Sequence, residues 1–291
     1  MDQFLQLTMS GLTNGAIYAL VAVGFVLIYK ASDVINFAQG EFLLVGAYVA
    51  AFLIGDLGLA WPIGAVLTVV IAAAMGVVIE RLVLRPLIGE PIISVIMVTI
   101  GLSSLLRSIV LGIWGTNPKV FPAFFPKTEV DIFGAVVTTE KLGAIAVAAA
   151  FLLIFTLFFR YTREGIAMRA VADDQQAALS MGISVKRIFA MAWSISAITA
   201  AIAGVVVANT LEVSGNLSAI GLTVFPVVIL GGLDSIPGAL IGAAIIGLLE
   251  AYTGGYVGDG SLSQVIPYIV LVLILMLRPY GLFGKEIIER V

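Results

Sequence analysis

Apolar stretches close to twenty residues long recur along the chain, at about 7–29, 34–55, 61–80, 92–113, 142–159, 187–208, 218–232, 236–253 and 264–277. A hydrocarbon layer needs about 20 helical residues to cross it, and a segment inside it must pair its own backbone polar groups. Each stretch therefore predicts a membrane-spanning helix. Two of them are defective. The second is broken by Asn36, Gln39, Gly40 and Glu41, and the one at 218–232 is short, holds Pro226 and runs into Gly231 and Gly232. The pattern predicts an all-α, polytopic membrane protein of about eight to nine transmembrane helices with broken helices, organised as a single transmembrane domain over residues 1–291.

Two polar islands separate the apolar runs. Residues 160–187 read RYTREGIAMRAVADDQQAALSMGISVKR. Here Asp173 is placed to cap a short helix by accepting from an unpaired amide near Gln176, whose side chain can reach back to close a capping box. Gly182 supplies the stop, because glycine turns left-handed at no steric cost. The expected helix is about eight residues, or roughly 12 Å at 1.5 Å per residue, and is too short to stand without neighbours. Ser184 is the candidate cap for the span that follows. The second island, 114–141, holds Pro118, Pro122 and Pro126 and an alternating run from Val130 to Val136, which predicts a small ordered hairpin. Its composition fits both a simple connector and a docking surface for something outside.

Charge placement orients the spans. With the N-terminus outside and nine crossings, Lys30, Arg81, Arg85, Arg160, Arg163, Arg169, Lys186, Arg187, Arg278, Lys285 and Arg290 all fall inside, against Lys119, Lys127 and Lys141 outside. The C-terminus is then cytoplasmic, which requires 218–232 to cross rather than re-enter. The first residues carry no basic segment and no cleavage signal before a soluble domain, so they read as a retained first span and not as a signal peptide.

Composition narrows the chemistry. The chain is 61% hydrophobic and 11% charged, where a soluble domain carries about a quarter charged residues. A net charge of −3 argues against nucleic acid as a partner. The absence of Cys and His excludes disulfides, thiol catalysis, haem ligation and imidazole metal sites, and no acidic cluster is dense enough to suggest a metal. No nucleophile motif stands out, so no catalytic residue is assigned. No G-x-x-x-x-G-K-[ST] loop is present, since residues 281–286 read GLFGKE; any ATP is therefore hydrolysed by another chain and no cofactor is expected in this one.

Polar groups inside spans are expensive and normally face a cavity or a partner. The candidates are Asn14, Asn36, Gln39, Glu41, Arg107, Glu212 and Glu250; Arg107 and Glu250 fit an outer-leaflet ion pair or snorkelling chains as well as a transport role. Gly11 with Gly15, Ala200 with Gly204, and Gly238 with Gly242 are small-residue pairs at helical spacing, read as packing. Broken spans such as residues 34–48 tend to build substrate sites or gates.

Three stretches carry a resemblance. Residues 11–48, GLTNGAIYALVAVGFVLIYKASDVINFAQGEFLLVGAY, resemble the opening of the permease subunits of branched-chain amino acid importers, with their I-N-F-A-[HQ]-G-E core. Residues 225–243, FPVVILGGLDSIPGALIGA, resemble the same family's later glycine-rich segment. The run Gln176, Ala177, Ala178 to Gly182 resembles the Glu-Ala-Ala-x-x-x-Gly coupling loop of permeases driven by ATP-binding cassette subunits, with Gln in place of Glu. The resemblance implies a high-affinity leucine, isoleucine and valine permease in the inner (plasma) membrane of a bacterial-type cell. It implies as partners a second homologous permease, two cytoplasmic ATPases and a periplasmic or external solute-binding protein, besides membrane lipids. It assigns Asp173, Asp174, Gln176, Ala177, Ala178, Leu179 and Gly182 to a cytoplasmic coupling helix, and Asn14, Asn36, Phe37, Gln39, Glu41 and Phe42 to the translocation pathway. A urea or amide permease shares these motifs, and an ion-coupled secondary transporter would instead use Glu41 and Glu250.

Overall fold

Apolar runs that cannot pair their backbone with solvent close it on themselves as helices. The computed structural model, which describes residues 2–121, 125, 128–132, 135–258 and 260–284, shows this throughout. The helices are α1 (Asp2–Ser32), α2 (Gln39–Ala50), α3 (Trp61–Ile79), α4 (Ile92–Trp114), α5 (Thr139–Tyr161), α6 (Arg163–Asp173), α7 (Gln175–Ser180), α8 (Val185–Thr210), α9 (Ala219–Gly231), α10 (Ile236–Tyr252) and α11 (Gly260–Leu277). Wider π turns at Ala51–Asp56, Glu80–Leu84 and Thr253–Val257 lengthen α2, α3 and α10. With these extensions, eight of the described helices are long and apolar enough to cross a membrane.

The ninth expected span is different. Helix α9 has 13 residues, about 20 Å, which is less than a bilayer's hydrocarbon thickness. The earlier defective span has an irregular first part and a helical second part, whereas the later one is helical almost throughout, a 3-10 turn at Gly215–Ser218 leading straight into α9. The irregular part of the earlier one is Asp33–Ala38, so Gln39, Gly40 and Glu41, expected to interrupt the helix, instead begin it. The α2 and α9 starts lie together, since a Cβ on Gly40 would strike the backbone of Ser218 and Gly221, and one on Gly221 the backbone of Gly40. Only glycine allows that approach.

From this meeting point the two helices run to opposite ends of the bundle. Helix α2 ends at Asp56, which pairs with Lys119 at 2.6 Å, while Lys119 bridges Val213 just past the end of α8. Helix α9 ends where Leu230 and Gly231 accept from the amides of Leu282 and Phe283. Lys30, Arg81, Arg85, Arg160, Arg163, Arg169, Lys186, Arg187 and Arg278 gather at the end where α1 finishes, and Lys119 and Lys141 at the other. Lys127, Lys285, Arg290, Pro122 and Pro126 lie outside the described residues. The segment between α4 and α5 forms a two-stranded antiparallel hairpin, β1 (Glu129–Ile132) with β2 (Ala135–Thr138), Glu129 opposite Thr138.

Helices α1, α2 and α8 make the centre, with 78%, 78% and 67% of their spanning windows buried, whereas α4, α5 and α11 at 22%, 17% and 6% form the rim. Gly11 and Gly15 meet the backbone of α10 near Ala243 to Leu248, and Gly204 meets that of α2 at Leu43 and Ala47. The small-residue pairs thus pack helices within one chain, replacing side-chain volume by direct backbone contact.

Candidate functional site

At the basic end, α6 and α7 form a short surface ledge. Thr162 caps α6 by accepting from the Gly165 amide at 3.0 Å. The α7 cap is Asp174, not Asp173: its Oδ1 accepts from the amides of Gln176 and Ala177, both at 2.9 Å. A cap must have extended backbone, and Asp174 has φ −157° and ψ 108°, whereas Asp173 is the last helical residue of α6. With the cap moved one residue on, α7 has six residues instead of about eight, and the expected Gln176 capping box onto Asp173 has no start to close.

The end of α7 is a Schellman turn. The Ile183 amide donates to the Ala178 carbonyl and the Gly182 amide to the Leu179 carbonyl, each at 3.0 Å, with Gly182 at φ +82°. Ser184 occupies the cap position of α8, without a side-chain cap bond. Ala178 points inward to a buried cluster with Leu27, Ala31, Met168, Val171, Val185 and Ile188. Gln176, Ala177 and Leu179 point outward; Leu179 is 57% exposed and Met181 83%. The Gln175 Nε2 donates to the Ala31 carbonyl at 3.3 Å, so the ledge is fastened to the end of α1.

One turn further along, the chain breaks. Asp33 has φ +53°, the single positive φ of a non-glycine residue among those described. Asn36 Oδ1 accepts from the Ala38 amide at 3.0 Å, and its Nδ2 donates to Gln39 Oε1 at 3.1 Å. Gln39 Oε1 also accepts from Ser196 Oγ at 2.8 Å, while its Nε2 lies 3.4 Å from the Val21 and Ser196 carbonyls. Thr99 accepts from the Phe37 amide at 3.4 Å and donates to the Ile35 carbonyl at 3.3 Å. Asn36, Gln39, Glu41 and Phe42 are thus buried inside the protein, and line none of the cavities described below. Asn36, Gln39 and Phe42 brace the break.

Phe37 is half-buried and rests on Phe225 of α9, ring centroids 4.9 Å apart. Glu41 lies in the first turn of α2, where a carboxylate complements the helix dipole, with the Arg107 charge nearby. Ser196 and Thr99 were not legible as partners, because a serine or threonine within an apolar helix can equally well bond its own preceding turn.

Asn14 is elsewhere. It lines a cavity of about 920 Å³ between α1, α9, α10 and α11, together with Tyr18, Asn216, Thr223, Glu250 and Tyr268. Tyr18 donates to Glu250 Oε2 at 2.6 Å, so Glu250 has a tyrosine partner where an ion pair with Arg107 was an open reading. Glu212, read as lying in a span, is exposed beyond the end of α8.

This architecture has relatives. Residues 7–275 match the family model described as "Branched-chain amino acid transport system / permease component". The high-affinity branched-chain amino acid transport system permease protein LivH of Escherichia coli K12 is 33% identical over 99% of this chain and 98% of its own. The corresponding permease protein BraD of Pseudomonas aeruginosa is 31% identical over the same shares, and the ribose import permease protein RbsC of E. coli 25% identical over 91% and 83%. Among solved structures, PsaBC from Streptococcus pneumoniae in complex with Fab superposes with a TM-score of 0.53 over 95% of this chain and 92% of that one, at 16% identity, a likeness of fold. By its sequence over nearly its whole length, the chain belongs to the family of branched-chain amino acid transport permease components.

Proposed function

We propose that this multi-pass permease moves branched-chain amino acids across the inner membrane as one subunit of an importer driven by ATP-binding cassette ATPases. The observation that carries the reading is α7: a capped helix of six residues at the basic end, seated by Ala178 and presenting Leu179 and Met181 outward where a soluble partner can cover them. A short amphipathic helix held by neighbours and exposing apolar side chains is a knob for a groove, not a stable element in itself. Two ATPases dock there, a second homologous permease completes the pathway, and an external binding protein delivers solute to the opposite end. The basic end then faces the cytoplasm, in keeping with the positive-inside bias. The function of Asn36, Gln39 and Phe42 in this scheme is to hold the α2 start, leaving Phe37, Glu41 and Asn14 as the groups nearer the solute's route.

The chain is naturally free of Cys, so single cysteines at Gln176 or Leu179 report contacts cleanly. In the assembled transporter they should crosslink to the ATPase, and uptake in proteoliposomes should need both ATP and the binding protein. Crosslinking confined to the 114–141 segment, or uptake driven by an ion gradient alone, overturns the reading.

A further inference from the structure

A second cavity, of about 470 Å³, opens at the basic end between α1, α5, α6 and the start of α10. Its lining is divided. Lys30, Arg160 and Arg169 bring three positive charges against one carboxylate, Asp234, which leaves an excess of two. Phe155, Phe159, Ile236 and Leu240 make an apolar wall running into the rim helix α5, whose Leu153, Ile154 and Leu157 are exposed beside it. The α10 start, capped by Ser235 with Pro237 in its first turn, adds the positive end of a helix dipole.

Arg169 is the informative residue. Its Nη2 donates to the Arg160 carbonyl at 3.3 Å, which fixes the guanidinium, yet its Nε is buried and has no hydrogen-bond partner among the described residues. A buried donor without a partner is costly, so such an atom calls for an acceptor. Arg160 is held in turn beside the Tyr161 ring, 5.4 Å from its centroid. No element of the mechanism above uses these groups.

From the joint presence of fixed cations, an unfilled donor and an apolar wall continuous with the lipid-facing side, we infer that this cavity binds the headgroup of an anionic phospholipid. The phosphate pairs with the Lys30, Arg160 and Arg169 cations, while an acyl chain lies along Phe155, Phe159 and Leu240. Basic pockets between spanning helices select lipids in this way, the charge supplying selectivity and the wall supplying affinity. Because Arg169 is on α6, directly ahead of α7, a bound lipid would also stiffen the ledge.

The test is lipid retention by the purified full chain, read by native mass spectrometry and by thermal unfolding in detergent, with phosphatidylglycerol, phosphatidylcholine or inorganic phosphate added. Phosphatidylglycerol should be retained and raise the unfolding temperature, and phosphatidylcholine should not. Lys30→Gln with Arg169→Gln should lower retention at least fivefold. Arg163→Gln, on the same ledge but outside the cavity, should leave it unchanged, and Arg169→Lys should keep part of it, which separates lost charge from lost folding. Equal retention of both lipids, unchanged retention in the double variant, or protection by inorganic phosphate alone as large as by the lipid would each overturn the inference.

Discussion

The Gln175 side chain donates to the Ala31 carbonyl at 3.3 Å, tying the first residue of α7 to the last turn of α1, two residues before Asp33 and the break that follows it. One amide thus connects the surface ledge to the irregular segment that positions α2. Gln175→Ala removes the tie without touching Ala178 or the Asp174 cap. It is expected to lower uptake several-fold in proteoliposomes while ATPase docking, measured by copurification, persists. Normal uptake in that variant would show that force does not pass through this contact.

Gly182 matters through its backbone. A Cβ there would meet nothing within 4 Å, so space is not the obstacle; φ +82° is. Gly182→Val should strain the Schellman turn by about 1–3 kcal/mol and uncouple ATP hydrolysis from uptake, with Gly182→Asn milder because asparagine tolerates the left-handed region. Comparing hydrolysis with uptake in the two variants checks the order. Equal behaviour of Val and Asn would point to a cause other than conformation.

The buried amide brace and the buried Glu41 carboxylate should separate in kind. Asn36→Ala leaves the Ala38 amide without its acceptor while Gln39 keeps Ser196, a loss of about 1–3 kcal/mol, seen as a lower unfolding temperature whatever the solute. Glu41→Gln keeps the shape but loses the charge near Arg107. It should slow uptake much more than it changes apparent solute affinity or stability. If Asn36→Ala transports slowly at full stability, the brace has a role in the path itself.

At the other end, the Lys119–Asp56 pair has both side chains partly exposed, so Asp56→Asn should cost under about 1 kcal/mol and its effect should fade as salt rises. The Lys119–Val213 backbone bridge remains in that variant and keeps the segment attached. A loss of more than a few degrees in thermal unfolding would mean that the ion pair, not the bridge, anchors the loop.

Hydropathy alone determined the spanning helices to within a few residues, since a run of apolar residues has one way to satisfy its backbone in hydrocarbon. The Gly182 stop and the presence of a break near Asn36 were also legible, because both are set by local backbone chemistry. Tertiary structure decided the rest. Asp173 and Asp174 are equally good caps on paper, and the choice follows from where α6 ends once Met168 and Val171 are packed. Spans α1 and α4 are about equally apolar overall, so hydropathy could not say that the first is central and the second peripheral. The partners of Gln39 lie on α1 and α8, up to 157 positions away, and a serine such as Ser196 carries no mark of that use. Contacts between distant turns of different helices depend on how those helices cross, and local sequence encodes only the helices.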